Sequence, residues 1–176
     1  MSSIAIVTYP RSGANYLSNL ILNNCRKQIN YFHIPENSDR FIISIARDPF
    51  ESIHSHVAMR KHYHPSEGYS KRYNNEYKDM YNFLYENADI VIKYTDLIEF
   101  PEKVLLKICS DIKFEINPLD IHVPVTVDNR ENTYLRSSKT SPEYKKEHFK
   151  AEDILDCYDA YNKLLSKTLD LTKPLL

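Results

Sequence analysis

Six consecutive residues near the start of the chain, Thr8-Tyr9-Pro10-Arg11-Ser12-Gly13, put a guanidinium, hydroxyls and a glycine between an apolar run and a helical pattern. A strand that turns tightly into a helix points backbone N–H groups out of the positive end of the helix dipole, a ready seat for phosphate or sulfate. Arg11 would add charged donors to that seat, and Ser12, Gly13, Ala14 and Asn15 would bring their N–H groups. An ordinary strand-to-helix turn carrying a surface arginine fits the same letters. Two further residue types close later runs. His33, with an ordinary pKa of about 6.5, ends one apolar segment and suits a general base, with Glu36 as the reserve. Arg47 ends another, and Ser55 follows two helical turns later, so the two can converge on one phosphate. The competing reading pairs Arg47 with Asp48 or Glu51 and turns Ser55 to solvent.

The elements that would position these groups are legible from pattern. Residues 3–8 form a short β-branched run, and Tyr16, Leu17, Leu20, Ile21 and Cys25 recur at helical spacing. Strands are expected at 29–33, stopped by Pro35, and at 41–46, whose unbroken FIISIA suits burial on both faces. Asp48-Pro49-Phe50-Glu51 supplies an N-cap, a proline at the first helical position and an acid at the third, predicting a helix over 49–62. A polar, turn-rich stretch over 63–74 precedes a helix over 75–87 and a strand over 90–94. Pro101 opens a helix to about 112, residues 115–141 read as irregular, and 151–169 read as a helix with Ile154, Tyr158, Tyr161 and Leu165 on one face. Strands alternating with crossover helices imply an α/β fold: a short parallel sheet with helices on both faces. At 176 residues, 42% hydrophobic and 27% charged, the chain suits one domain.

Composition narrows the function. A formal net charge of -1 gives no footprint for a long polyanion, so no nucleic-acid partner is expected. Cys25, Cys109 and Cys157 are widely spaced, without a CxxC, which argues against a disulfide framework or a zinc site and favours a reducing, cytoplasmic setting. No stretch approaches the roughly 18 apolar residues of a membrane span. Gly13 and Gly68 are the only glycines, so neither a Walker A loop nor a G-x-G-x-x-G dinucleotide fingerprint can be present.

The loop TYPRSGANYL resembles the 5′-phosphosulfate loop, usually written TYPKSGTTW, of sulfotransferases that use 3′-phosphoadenosine 5′-phosphosulfate (PAPS). Three more segments agree in order. His33-Ile34-Pro35 is similar to the H-L-P at the family's catalytic base, and Ile45-Ala46-Arg47-Asp48-Pro49 to its 3′-phosphate segment, whose later serine is Ser55. Lys93-Tyr94-Thr95-Asp96-Leu97, with Pro101-Glu102 and Ile108-Cys109, resembles its Y-E-D-L…P-E…I-C element. The resemblance spans about residues 4–112. It implies a three-layer, P-loop-NTPase-like sulfotransferase fold, PAPS as co-substrate, adenosine 3′,5′-bisphosphate (PAP) as product, and no metal. The acceptor would be a small molecule or peptide bearing a hydroxyl. His33 would be the base, Arg11 would stabilise the leaving phosphate, residues 11–16 including Tyr16 would hold the 5′-phosphosulfate, and Arg47 and Ser55 the 3′-phosphate. The chain departs from the pattern at Arg11 (lysine in much of the family), at Ala14 and Asn15 (threonines), at Tyr16 (tryptophan) and at Tyr31 (lysine). The C-terminal R-K-G-x-x-G motif is absent, and Arg136 and Ser137, followed by Ser138 and Lys139, are candidate replacements. A degenerate PAP-binding module and a P-loop-type kinase are the alternatives, the latter opposed by the missing Walker A residues.

Two clusters admit plainer readings. His54 and His56 lie two apart on a helix and diverge by about 200°, so they cannot share one metal ion. Tyr69, Tyr73, Tyr77, Tyr81 and Tyr85 form a stripe that is either core packing or an acceptor-binding wall.

Overall fold

A computed structural model describes residues 4–25, 29–35, 40–123 and 146–171. Four short strands, β1 (Ile4–Val7), β2 (Asn30–Phe32), β3 (Phe41–Ala46) and β4 (Ile90–Lys93), form one sheet in the order β2-β1-β3-β4. All three pairings are parallel, with Ala5 opposite Ile42 and Ile43 opposite Ile90. Parallel neighbours need crossovers, and helices supply them on both faces.

Alternation along the strands sorts the core into two layers. Ala5, Val7, Ile42, Ala46 and Val91 face α2 (Pro49–Tyr63), α3 (Lys71–Asn87) and α6 (Tyr158–Leu165). Ile6, Ile43, Ile45, Ile90 and Ile92 face α1 (Ala14–Cys25) and α5 (Pro101–Asp111), with Leu97 of the short α4 (Tyr94–Glu99) beside them. The expected three-layer α/β arrangement is therefore present, and FIISIA is a strand buried on both faces. No helix among the described residues is long and apolar enough to cross a membrane.

Three expectations need correction. First, α3 begins at Lys71 rather than at 75, because Asn74 is fully buried and donates to the Asp153 carbonyl (2.8 Å) and to Asp156 Oδ1 (2.9 Å). These tertiary bonds stabilise a first turn that looks like loop in the letters. Second, the segment read as one helix from 151 to 169 is a 3-10 helix over Ala151–Cys157 followed by α6. The Asp153 carbonyl already accepts from Tyr69 Oη (3.0 Å), Asn74 Nδ2 and Lys71 Nζ, so it is taken up by side chains rather than by an α-helical N–H. After α6 the chain leaves the helix, and Leu169 N donates to the Val91 carbonyl at 2.8 Å along the open edge of β4. Third, Tyr94 opens α4 instead of ending a strand.

The tyrosine stripe is core at its centre: Tyr77 and Tyr81 are inaccessible, stacked with centroids 4.0 Å apart, and Tyr73 is nearly buried. Asp48 caps α2 as expected, accepting from Glu51 N at 3.2 Å.

Gly13 has φ +100°, and a Cβ there would meet the Tyr94 ring at 3.1 Å. Gly13→Ala combines backbone strain with a clash against a packed ring. It is expected to cost about 1–3 kcal/mol, read as a lowered midpoint in thermal unfolding.

Candidate anion-binding site

The strand order fixes where a site can form. From β1 the chain moves outward to β2, and from β3 it moves the opposite way to β4. The loops leaving the C-terminal ends of adjacent β1 and β3 therefore diverge and open a crevice, the usual ligand position in open α/β sheets. Thr8 stands at its floor, fully buried. Its Oγ1 donates to the Ile45 carbonyl of β3 (3.0 Å), and its N–H donates to the Phe32 carbonyl of β2 (3.1 Å). Its own carbonyl lies 2.9 Å from His33 Nδ1. One residue thus ties three strand ends together.

Beyond Thr8 the loop turns sharply, with Ser12 N donating to the Tyr9 carbonyl at 3.3 Å and Arg11 at φ 69°. A non-glycine residue held in the left-handed region is strained and needs its surroundings to keep it there. The first bond of α1 runs from Leu17 N to the Gly13 carbonyl, so the N–H groups of Ala14, Asn15 and Tyr16 stand outside the helical ladder at its positive end. Ser12 Oγ is inaccessible and reaches no partner within hydrogen-bond geometry, although the Tyr81 hydroxyl lies beside it.

Arg47 meets this loop from β3. Its Nη1 donates to the Arg11 carbonyl at 2.5 Å, its Nε pairs with Glu51 at 3.1 Å, and its guanidinium carbon lies 4.2 Å from the centroid of the Tyr94 ring. Tyr94 therefore backs both Gly13 and Arg47. Among the described residues, Arg47 Nη2 meets no acceptor. Two buried tyrosines fix the Arg47 backbone: Tyr77 and Tyr81 hydroxyls donate to its carbonyl at 2.7 and 2.9 Å, and its N–H donates to Tyr81 Oη at 2.8 Å. Burial pushes the Tyr81 hydroxyl up to about 12 and raises Tyr77 too, so both remain protonated donors. From α2, Ser55 Oγ accepts from Arg11 Nε at 3.1 Å. Ser55 is buried, not turned to solvent, while the expected Arg47–Glu51 contact also exists.

Two histidines flank the loop. A carbonyl only accepts, so the bond to Thr8 requires the proton on His33 Nδ1 and leaves the lone pair of the neutral ring on Nε2. Water reaches the His33 ring, yet the protein mass around it and the Arg11 charge lower its pKa, against the opposing effect of the Thr8 bond. His33 is accordingly neutral near pH 7. His56 Nδ1 lies 3.1 Å from the Tyr9 hydroxyl, and His54 turns elsewhere, to the Lys146 carbonyl at 2.9 Å.

The fold thus brings together Arg11, Ser12, Gly13, Ala14, Asn15, Arg47 and Ser55, with His33 on the other side of Thr8. Tyr16 presents only its backbone there, since its ring packs into the apolar layer with Leu17 and Leu20. Arg136, Ser137 and Glu36 lie outside the described residues. Among the described residues, no group of three His, Cys, Asp or Glu side chains is placed to hold a metal ion. Sequence reading missed the anchoring by Thr8, Tyr77, Tyr81 and Tyr94. Thr8 belonged to the motif itself, but no letter in it shows which carbonyl its hydroxyl meets. No protein-family model matches the chain, and no curated protein matches it either.

Desolvation, followed by the charges of Arg60, His33 and Arg11, lowers the His56 pKa from its ordinary value to about 4. The unfolded chain then binds the extra proton between about pH 6.5 and 4, so native stability falls as pH drops through that window. The loss is on the order of 3 kcal/mol. Denaturant titrations across the window should show it, and His56→Gln should flatten the slope relative to the parent.

Proposed function

We propose that the chain is a PAPS-dependent sulfotransferase with the P-loop-like sulfotransferase fold. The observation that carries the reading is the 2.5 Å bond from Arg47 to the Arg11 carbonyl. The turn after β1 and the arginine after β3 lie side by side at the topological switch point, which suits a nucleotide with phosphate groups at both ends of its ribose.

The residues present suit such a donor. The N–H groups at the start of α1 and the Arg11 guanidinium offer donors to the 5′-phosphosulfate. Arg47, whose Nη2 meets no acceptor among the described residues, and Ser55 offer donors to the 3′-phosphate. His33 Nε2 takes the proton from the acceptor hydroxyl as its oxygen bonds to sulfur. The bond from sulfur to the bridging oxygen breaks in line, its electron pair stays on the 5′-phosphate of PAP, and Arg11 meets that charge. Reasoning by analogy with phosphoryl transfer, positioning and fixed charge supply most of the acceleration. PAPS serves as co-substrate, and no step assigned here calls on a metal.

Two substitutions separate binding from chemistry. Arg47→Ala should lose PAP binding in isothermal titration while circular dichroism stays unchanged; an unaltered affinity would refute the 3′-phosphate assignment. His33→Ala should bind PAP as the parent does and transfer labelled sulfuryl about 100-fold more slowly. A parent chain that binds PAP yet transfers nothing to any acceptor is instead a degenerate binding module. Because the His33 pKa is lowered, transfer should hold level through neutrality and decline only on acidification below about pH 6.5.

A further inference from the structure

Cys25 closes α1 and Cys109 lies near the end of α5, 84 positions later, yet their sulfurs stand 3.6 Å apart in the apolar layer that the two helices share. All three cysteines of the chain are free thiols and buried. Cys157 packs in the opposite layer, with α2, α3 and α6, where its Sγ lies 3.8 Å from the Asn74 carbonyl. The sheet therefore separates it from the pair.

Two thiols in a core can pack simply as small hydrophobic groups. The geometry of this pair favours more. A disulfide bond of about 2.05 Å is only about 1.5 Å of approach away, less than a sulfur travels between rotamers. Cys25 stands at the rim of the layer: it ends α1, follows the exposed Leu22 and Asn23, and keeps 7% exposure against 2% for Cys109. A small neutral oxidant thus meets Cys25 first. The contact with Cys25, with burial added, pushes the Cys109 thiol up, so Cys109 keeps its proton until a leaving group takes it.

We infer that Cys25 and Cys109 are a reversible oxidation site, which a hydroperoxide converts to a disulfide that locks α1 against α5. The Cys25 sulfur attacks one peroxide oxygen: an S–O bond forms, the O–O bond breaks, and the Cys25 proton leaves with the departing oxygen as water or alcohol. Cys109 sulfur then attacks the sulfenic sulfur. The S–S bond forms, the S–O bond breaks, and the departing hydroxide takes the Cys109 proton as water. Two electrons pass from the two sulfurs to the peroxide, and a thiol reductant returns them. Such a bond is transient in a reducing compartment, as redox-sensing disulfides are. The helix it locks is the one whose first turn offers N–H groups to the crevice. The inference does not depend on the sulfotransferase reading.

The test treats the reduced full chain with hydrogen peroxide and reads intact mass, free thiols and tryptic peptides. The chain should lose two hydrogens, its three free thiols should fall to one, and the Cys25 and Cys109 peptides should be joined. Closing a loop of 84 residues should raise the thermal midpoint by about 5 °C or more, reversibly with dithiothreitol. Cys25→Ala should show neither the link nor the shift. Plain core packing predicts three surviving thiols, and that result overturns the inference. So do a link through Cys157, oxygen added to the cysteines without a link, or a link that leaves the midpoint unmoved. Should the variant not fold, the peptide map of the parent still decides.

Discussion

The three bonds of Thr8 are the constraint on which the crevice depends. Its hydroxyl holds the end of β3, its N–H holds the end of β2, and its carbonyl orients the His33 ring. Because Thr8 is fully buried, each bond stands in a low-dielectric setting where an unmet partner would be costly. The turn after β1, the arginine that follows β3 and the His33 ring consequently share one fixed origin.

Around that origin the protein holds strain in place by overdetermining it. Arg11 sits in the left-handed region and Gly13 at a φ that side chains disfavour, a conformation an isolated loop would not keep. Arg47 clasps the Arg11 carbonyl, Ser55 clasps the Arg11 side chain, and the Tyr94 ring closes over Gly13. Arg47 is itself held by two buried tyrosine hydroxyls rooted in α3. The aromatic stripe is therefore core packing and the anchor of the site at once, which links α3 to the chemistry without placing it in the crevice.

Legibility followed the range of the interaction that decides each feature. Elements fixed by local pattern were readable: FIISIA as a doubly buried strand, the Asp48-Pro49 start of α2, the turn after β1. Features fixed by distant partners were not. The start of α3 depends on Asn74 reaching a carbonyl 79 residues away, and the 3-10 form of Ala151–Cys157 depends on side chains capturing that same carbonyl. At the site, types and order of Arg11, Arg47 and Ser55 were visible, but their pairing was not: Ser55, expected beside Arg47, holds Arg11. Tyr94 looked like the end of a strand because a β-branched run leads into it, yet its ring serves as the wall behind two loops.

The central claim is that the turn after β1 and the arginine after β3 together hold two phosphate groups of one nucleotide. Calorimetric titration of the full chain with PAP and with adenosine 5′-monophosphate, which differ by the 3′-phosphate alone, tests it most directly. Loss of a doubly hydrogen-bonded charged group predicts PAP to bind about 100-fold more tightly. Equal affinities, or heat from neither ligand, would contradict the account.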